Sequence, residues 1–95
     1  MLTPRDINVK NHFFGSLLNN CEKETIARNI VIISCANDNK WFPFTWEGYK
    51  GHCQHKVSED ERIVLNELVK SGHLTRTDGV YNITDKFILS LSRNL

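Results

Sequence analysis

The chain has 95 residues, 40% of them hydrophobic and 24% charged, values typical of a single globular domain rather than of a disordered tail. Twelve Lys and Arg residues against eleven Asp and Glu residues leave a net charge of +1, so the chain lacks the overall basicity that attracts a protein to nucleic acid. Because it has no Cys-x-x-Cys pair and no apolar run long enough for a signal peptide or a membrane span, we expect a cytoplasmic protein with reduced thiols and no membrane contact.

Two helices are predicted in the N-terminal part of the chain. Thr3 and Pro4 form a helix start, because threonine caps helices and proline suits the first helical position. Apolar residues at roughly helical spacing continue this helix to Leu18. A second helix is predicted over 20–37. The β-branched run at 30–33 also suits a buried strand, but an apolar pattern of about three turns favours the helix.

The middle segment, residues 40–52, holds both tryptophans and several other aromatic residues. Thr45 is suited to cap a short helix through Tyr49. We expect most of these aromatic side chains in the core, because a small domain needs their burial. Basic residues between the aromatic ones leave two alternatives open. One is a surface that stacks single-stranded bases, and the other is an exposed Trp46 or Tyr49 that anchors a partner.

His52, Cys53 and His55 form the only metal-like cluster in the sequence. Zinc needs four ligands in a tetrahedron, and the remaining cysteines and histidines lack zinc-finger spacing. Cys53 beside two histidines also suits a thiolate nucleophile, but the sequence offers no oxyanion site and no phosphate-binding loop. We therefore expect no metal, no cofactor, no small-molecule substrate and no enzymatic activity.

Clear start and stop signals mark two helices in the C-terminal half. Ser58 and Glu61 form a capping box, an apolar stripe follows, and Gly72 ends this helix. Thr84 and Asp85 then predict the start of a last helix.

Asp78 and Gly79 predict a tight hairpin between these two helices. Asp-Gly between two strand-like runs favours a type I′ turn, which needs positive φ at both central positions. The hairpin covers 74–83 and pairs Arg76 with Tyr81 on one face. Stacking of these two side chains, with the guanidinium in water, would contribute roughly 0.5–1 kcal/mol.

The run LNELVKSGHLTR at 65–76, followed by DGVYNITDK at 78–86, resembles the recognition-helix end and wing of winged helix-turn-helix proteins. The resemblance implies a single α+β, mostly helical domain over 1–95, with about five helices and a β-hairpin. It also implies that 20–37 packs across the recognition helix and that 45–50 supplies a short second helix. The family usually binds double-stranded DNA, with the N-terminal half of the recognition helix in the major groove.

The charges on this helix favour a different ligand. Consecutive acids at 59–61 repel phosphate, and four acids against two bases leave 58–71 at −2. Winged helices also bind proteins and form dimers, so we slightly favour a protein-interaction or dimerisation module. Double-stranded DNA, bound by the wing and a local basic and aromatic surface, is the alternative. The candidate contact residues for either partner are Arg76, Tyr81, Lys50, Lys56, Arg62, Trp46 and Tyr49.

Overall fold

The computed structural model describes residues 2–10, 21–53 and 56–92, and over these ranges it shows an α+β domain with five helices and a three-stranded antiparallel sheet. The helices are α1 (Pro4–Lys10), α2 (Cys21–Ala36), α3 (Trp46–His52), α4 (Glu59–Lys70) and α5 (Asp85–Ser92). The strands are β1 (Phe44–Thr45), β2 (Leu74–Thr77) and β3 (Val80–Ile83), in the sheet order β1-β3-β2. The expected mostly helical α+β class is confirmed.

The N-terminal helices begin where the sequence predicts. Thr3 and Asp6 cap α1 reciprocally: the Asp6 amide donates to Thr3 Oγ1 at 3.3 Å, and the Thr3 amide donates to Asp6 Oδ2 at 3.0 Å. The predicted continuation of this helix through 11–20 lies outside the described residues. Helix α2 includes the β-branched run 30–33, so this run is helical and not a strand.

Helix α4 has a defined start and a defined end. The Glu61 carboxylate accepts a hydrogen bond from the Ser58 amide at 3.2 Å, as the predicted capping box requires. At the other end Gly72 has φ +85°, and the His73 amide donates to the Leu68 carbonyl at 2.9 Å. This 6→1 bond is that of a Schellman motif, which needs the left-handed conformation that glycine adopts at low cost.

The hairpin has the predicted register, with Leu74 opposite Ile83 and Arg76 opposite Tyr81. Its turn residues, 78 and 79, have φ of 51° and 79°, as a type I′ turn requires.

Strand β1 was not predicted. It consists of two residues, Phe44 opposite Tyr81 and Thr45 opposite Val80. A strand this short has no periodicity that a sequence pattern can reveal, and its pairing depends on a hairpin that lies far away along the chain. Thr45 then begins α3, because its Oγ1 accepts from the Gly48 amide at 3.0 Å.

The core lies between the helices and one face of the sheet. Helix α2 packs against α1 and α4, and α4 also contacts β2. An aromatic stack joins the short strand to the hairpin, since the Phe44 and Tyr81 rings lie 5.3 Å apart at 22°. The buried hydrophobic residues are Ile7, Ile26, Ala27, Ile30, Val31, Phe44, Trp46, Tyr49, Val64, Leu65, Leu68, Leu74, Tyr81, Phe87, Ile88 and Leu91.

Candidate functional site

Two cations lie against the Trp46 ring. Lys50 Nζ is 5.5 Å and Arg62 Cζ is 6.0 Å from the ring centroid, both within the distance at which a cation is attracted to an aromatic face. The ring also stacks on Tyr49, with centroids 6.0 Å apart and planes at 15°. Lys50 additionally pairs with Glu47 at 3.1 Å. The last turn of α3 and the beginning of α4 thus each bring a basic side chain to the Trp46 ring.

The wing adds a third cation to this surface. Arg76 Nη1 donates to Asn66 Oδ1 at 3.1 Å. Asn66 lies four residues after Arg62 on α4, and residues at this spacing are neighbours on a helix surface. Trp46 and Asn66 thus link Lys50, Arg62 and Arg76, and we call these three residues the basic strip.

Three aromatic residues that the sequence suggested as contacts are buried. Trp46 is 8% exposed, and Tyr49 and Tyr81 are each 2% exposed. Tyr81 stacks on Phe44, and its hydroxyl lies 3.4 Å from Asn66 Oδ1. These three rings support the surface from below, so the suggestion that they touch a partner directly is corrected.

Of the two suggested residues that remain, Arg76 belongs to the basic strip and Lys56 does not. Arg76 is opposite Tyr81 as predicted, but its guanidinium donates to Asn66 on α4. Lys56 is exposed in the connection before α4, and none of the contacts found among the described residues joins it to the basic strip.

Sequence reasoning missed a polar network beneath this surface. The Tyr49 hydroxyl donates to Glu61 Oε1 at 3.2 Å and accepts from Asn29 Nδ2 at 3.0 Å. Burial raises the pKa of Tyr49 far above its ordinary value, so this hydroxyl remains a donor. Glu61 therefore uses its two carboxylate oxygens to hold Tyr49 and the Ser58 amide, and it is only partly exposed to solvent.

The outward face of α4 carries acidic and apolar side chains. Glu59, Asp60 and Glu67 are exposed, and Ile63 is 57% exposed. A duplex lying along this helix would therefore meet carboxylates as well as Arg62.

A second polar cluster joins the end of α4 to α5. His73 Nδ1 lies 2.6 Å from Ser71 Oγ, and His73 Nε2 lies 3.1 Å from Ser90 Oγ. Burial, followed by the nearby charges of Lys86 and Lys23, lowers the pKa of His73. Through Ser71 and Ser90, this imidazole links the end of α4 to α5.

The last candidate site contains Cys53, which the sequence analysis weighed as a zinc ligand and as a thiolate nucleophile. A cavity of about 370 Å³ lies between α2 and the end of α3, and its lining includes Ile32, His52 and Cys53. Burial is the main cause that raises the pKa of the Cys53 thiol, which makes it a poor nucleophile at pH 7. His55, the third member of the cluster suggested by the sequence, lies outside the described residues.

Within residues 2–10, 21–53 and 56–92, no three His, Cys, Asp or Glu side chains are grouped so that they could hold a metal ion. No helix in the same ranges has the length and apolar character needed to cross a membrane. No family model, curated protein or solved structure matches this chain. Its own surface and packing are therefore the basis for a proposal about function.

Proposed function

We propose that the chain is a non-enzymatic binding module of winged-helix type. The family resemblance implies a helix that packs across the recognition helix, and α2 packs against α4. It also implies a short helix before the recognition helix, the position of α3, and a wing after it, the position of β2 and β3. These placements support the proposal.

Protein binding, including self-association, is the function that the geometry supports best. The observation that carries it is the exposed face of α4, where Glu59, Asp60 and Glu67 surround Ile63. In a DNA-binding winged helix, the start of this helix would enter the major groove. Carboxylates there repel phosphate, whereas a protein partner can offer them cations and cover the isoleucine.

Binding of double-stranded DNA is the second candidate, and the basic strip is the observation that favours it. Its members come from α3, α4 and the wing and are linked through Trp46 and Asn66. Glu61 also accepts hydrogen bonds from the Tyr49 hydroxyl and the Ser58 amide, so its carboxylate should repel the phosphates of a duplex less than its position in the sequence suggests.

A salt-dependent titration with a labelled DNA duplex separates the two candidates. We expect the parent protein to bind no more tightly than the non-specific range of about 10⁻⁴–10⁻⁶ M at about 150 mM salt. The double variant Glu59→Lys with Asp60→Lys should gain affinity and a steeper salt dependence, because each change replaces a repulsive charge with an attractive one at the helix start.

The control variant makes the same change of charge elsewhere, with Asp38→Lys and Asp85→Lys, and should gain less affinity. Sub-micromolar binding of duplex by the parent at about 150 mM salt would overturn the ranking. DNA binding would then take first place, and Arg76→Ala should weaken it and flatten its salt dependence.

A further inference from the structure

The exposed isoleucine of α4 lies among carboxylates. Residues three and four positions apart on an α-helix are neighbours on its surface. For Ile63 these neighbours are Glu59, Asp60, Asn66 and Glu67. The three acids are exposed, as is Ile63 itself at 57%. A partner that covers this isoleucine therefore meets three negative charges.

The two cations of α4 do not balance these acids. Arg62 and Asp60 are two residues apart, which places them roughly 160° apart around the helix axis. The Arg62 guanidinium lies on the other flank, against the Trp46 ring. Lys70 is the last residue of α4 and comes two turns after Ile63, roughly 10 Å farther along the axis. The surface around Ile63 therefore has a local excess of negative charge.

A cleft beside this surface adds oxygen acceptors for a cation. It is a cavity of about 230 Å³ between α2 and the start of α4, and we call it the acidic cleft. The residues that line it are Thr25, Ser58, Asp60, Glu61 and Val64. Within the described part of the chain its lining thus offers two carboxylates, two hydroxyl groups and one apolar side chain, and no basic one. Because Asp60 also adjoins Ile63, the acidic cleft and the exposed face of α4 are continuous.

The acidic cleft is suited to a single basic side chain. Its volume is below the roughly 300–1,000 Å³ that is typical of small-molecule sites. A lysine side chain combines an apolar stem with an ammonium group that donates three hydrogen bonds. In the cleft the stem can pack on Val64, and the ammonium group can pair with the Asp60 carboxylate.

The spacing of the contacts on α4 matches a second helix. Asp60 and Glu67 are seven residues apart, about 10 Å of helix rise, and Ile63 lies between them. In an antiparallel partner helix, basic residues at i and i+7 with an apolar residue at i+4 have the same spacing. An extended chain covers this distance in about three residues, and side chains three apart in a strand point to opposite faces. A helix can therefore present all three side chains together.

We propose that the acidic cleft and the face of α4 around Ile63 bind a basic amphipathic helix of a partner protein. One lysine of this helix enters the cleft beside Asp60, an apolar side chain covers Ile63, and a second lysine pairs with Glu67. This inference rests on the protein-interaction function proposed above and gives the chemistry of the partner.

Fluorescence anisotropy with a labelled alanine-based peptide of about 20 residues, long enough to form a helix in water, tests this inference. The peptide carries lysine at i and i+7 and leucine at i+4. We expect the full chain to bind it at about 50 mM salt, where charges are weakly screened, and not to bind the version with glutamate in place of lysine. The double variant Asp60→Asn with Glu67→Gln should weaken binding about fivefold, because it removes two exposed ion pairs.

Two further substitutions separate specific contacts from general attraction between charges. Thr25→Tyr leaves the charge unchanged and fills the acidic cleft, so it should weaken binding, whereas Thr25→Ser should not. Ile63→Ser should weaken binding of the leucine peptide, but not of a version with serine in place of leucine.

The matched control removes the same charge elsewhere, with Asp38→Asn and Asp85→Asn at exposed positions. Its affinity should stay close to that of the parent, and circular dichroism of both double variants checks that they are folded. Because the glutamate peptide is tested on the parent protein, the inference stays falsifiable if a variant fails to fold.

Absence of binding to the lysine–leucine peptide, or an equal loss in the control variant, would overturn the inference. If duplex affinity is also weak, the protein-interaction function stands and only this partner is rejected. Sub-micromolar binding of a duplex by the parent at about 150 mM salt would instead reject the proposed function itself.

Discussion

Tyr49 shows how a single side chain positions the surface above it. Its ring stacks under Trp46, and its hydroxyl bonds to Asn29 on α2 and Glu61 on α4. Three helices therefore meet at one buried phenol. Because Glu61 also holds the Ser58 amide, the start of α4 is oriented by the same carboxylate that satisfies the tyrosine.

Removing the Tyr49 hydroxyl should lower the stability of the protein more than removing the Tyr81 hydroxyl. Both tyrosines are 2% exposed, but Tyr49 has two hydrogen bonds at 3.0 and 3.2 Å, whereas the Tyr81 bond to Asn66 is 3.4 Å long. We expect Tyr49→Phe to lower the free energy of unfolding by about 0.5–1.5 kcal/mol, and Tyr81→Phe by less. Urea denaturation measures both, and an equal or larger loss for Tyr81→Phe would contradict this account of the network.

At the scale of elements, the local signals of the C-terminal half agree with one another. The capping box at Ser58, the Schellman end at Gly72 and the type I′ turn at Asp78 each use a residue that the local backbone conformation favours. Such agreement between neighbouring elements explains why this half of the chain was predictable to the level of strand register.

The same substitution at two glycines should have opposite effects. Gly79 has φ +79° in the hairpin turn, so Gly79→Ala should lower the free energy of unfolding by about 1 kcal/mol. Gly51 lies within α3, where an added Cβ would meet no atom within 4 Å. Gly51→Ala should therefore raise the free energy of unfolding by about 0.5–1 kcal/mol, because alanine favours the helix. Thermal or urea unfolding checks both signs, and stabilisation by Gly79→Ala would argue against a type I′ turn.

At the scale of the whole molecule, α4 has one face buried in the core and one face exposed to solvent. Leu68 is fully buried where α4 faces the core, while Ile63 on the same helix is 57% exposed. We expect Leu68→Ala to lower the free energy of unfolding by about 2–5 kcal/mol, since it removes buried methyl groups and leaves a cavity. Ile63→Ala, the control, should change it by less than about 0.5 kcal/mol. A similar loss for both variants would show that α4 buries a different face.

The candidate site could be predicted only in part, because its residues come from distant segments. The sequence named Lys50, Arg62 and Arg76 among the candidate contacts of a local basic surface, but it could not show that they meet. It missed Asn66, whose side-chain oxygen accepts a hydrogen bond from Arg76, and it did not indicate that Glu61 would turn toward Tyr49. Hydrogen bonds of this kind depend on how helices pack, and side-chain patterns within one helix do not encode that packing.

The sequence by itself determined the elements whose causes are local: caps, apolar stripes, the Asp78-Gly79 turn and, through the turn, the pairing of β2 with β3. These features depend on residues that are close along the chain, so a pattern of a few positions is enough to indicate them. Only the tertiary structure decided that 44–45 would pair with β3 and that Lys50, Arg62 and Arg76 would be linked through Trp46 and Asn66. Each of these results from packing between segments that are far apart in sequence, where burial of the core selects one arrangement from many that local propensity permits.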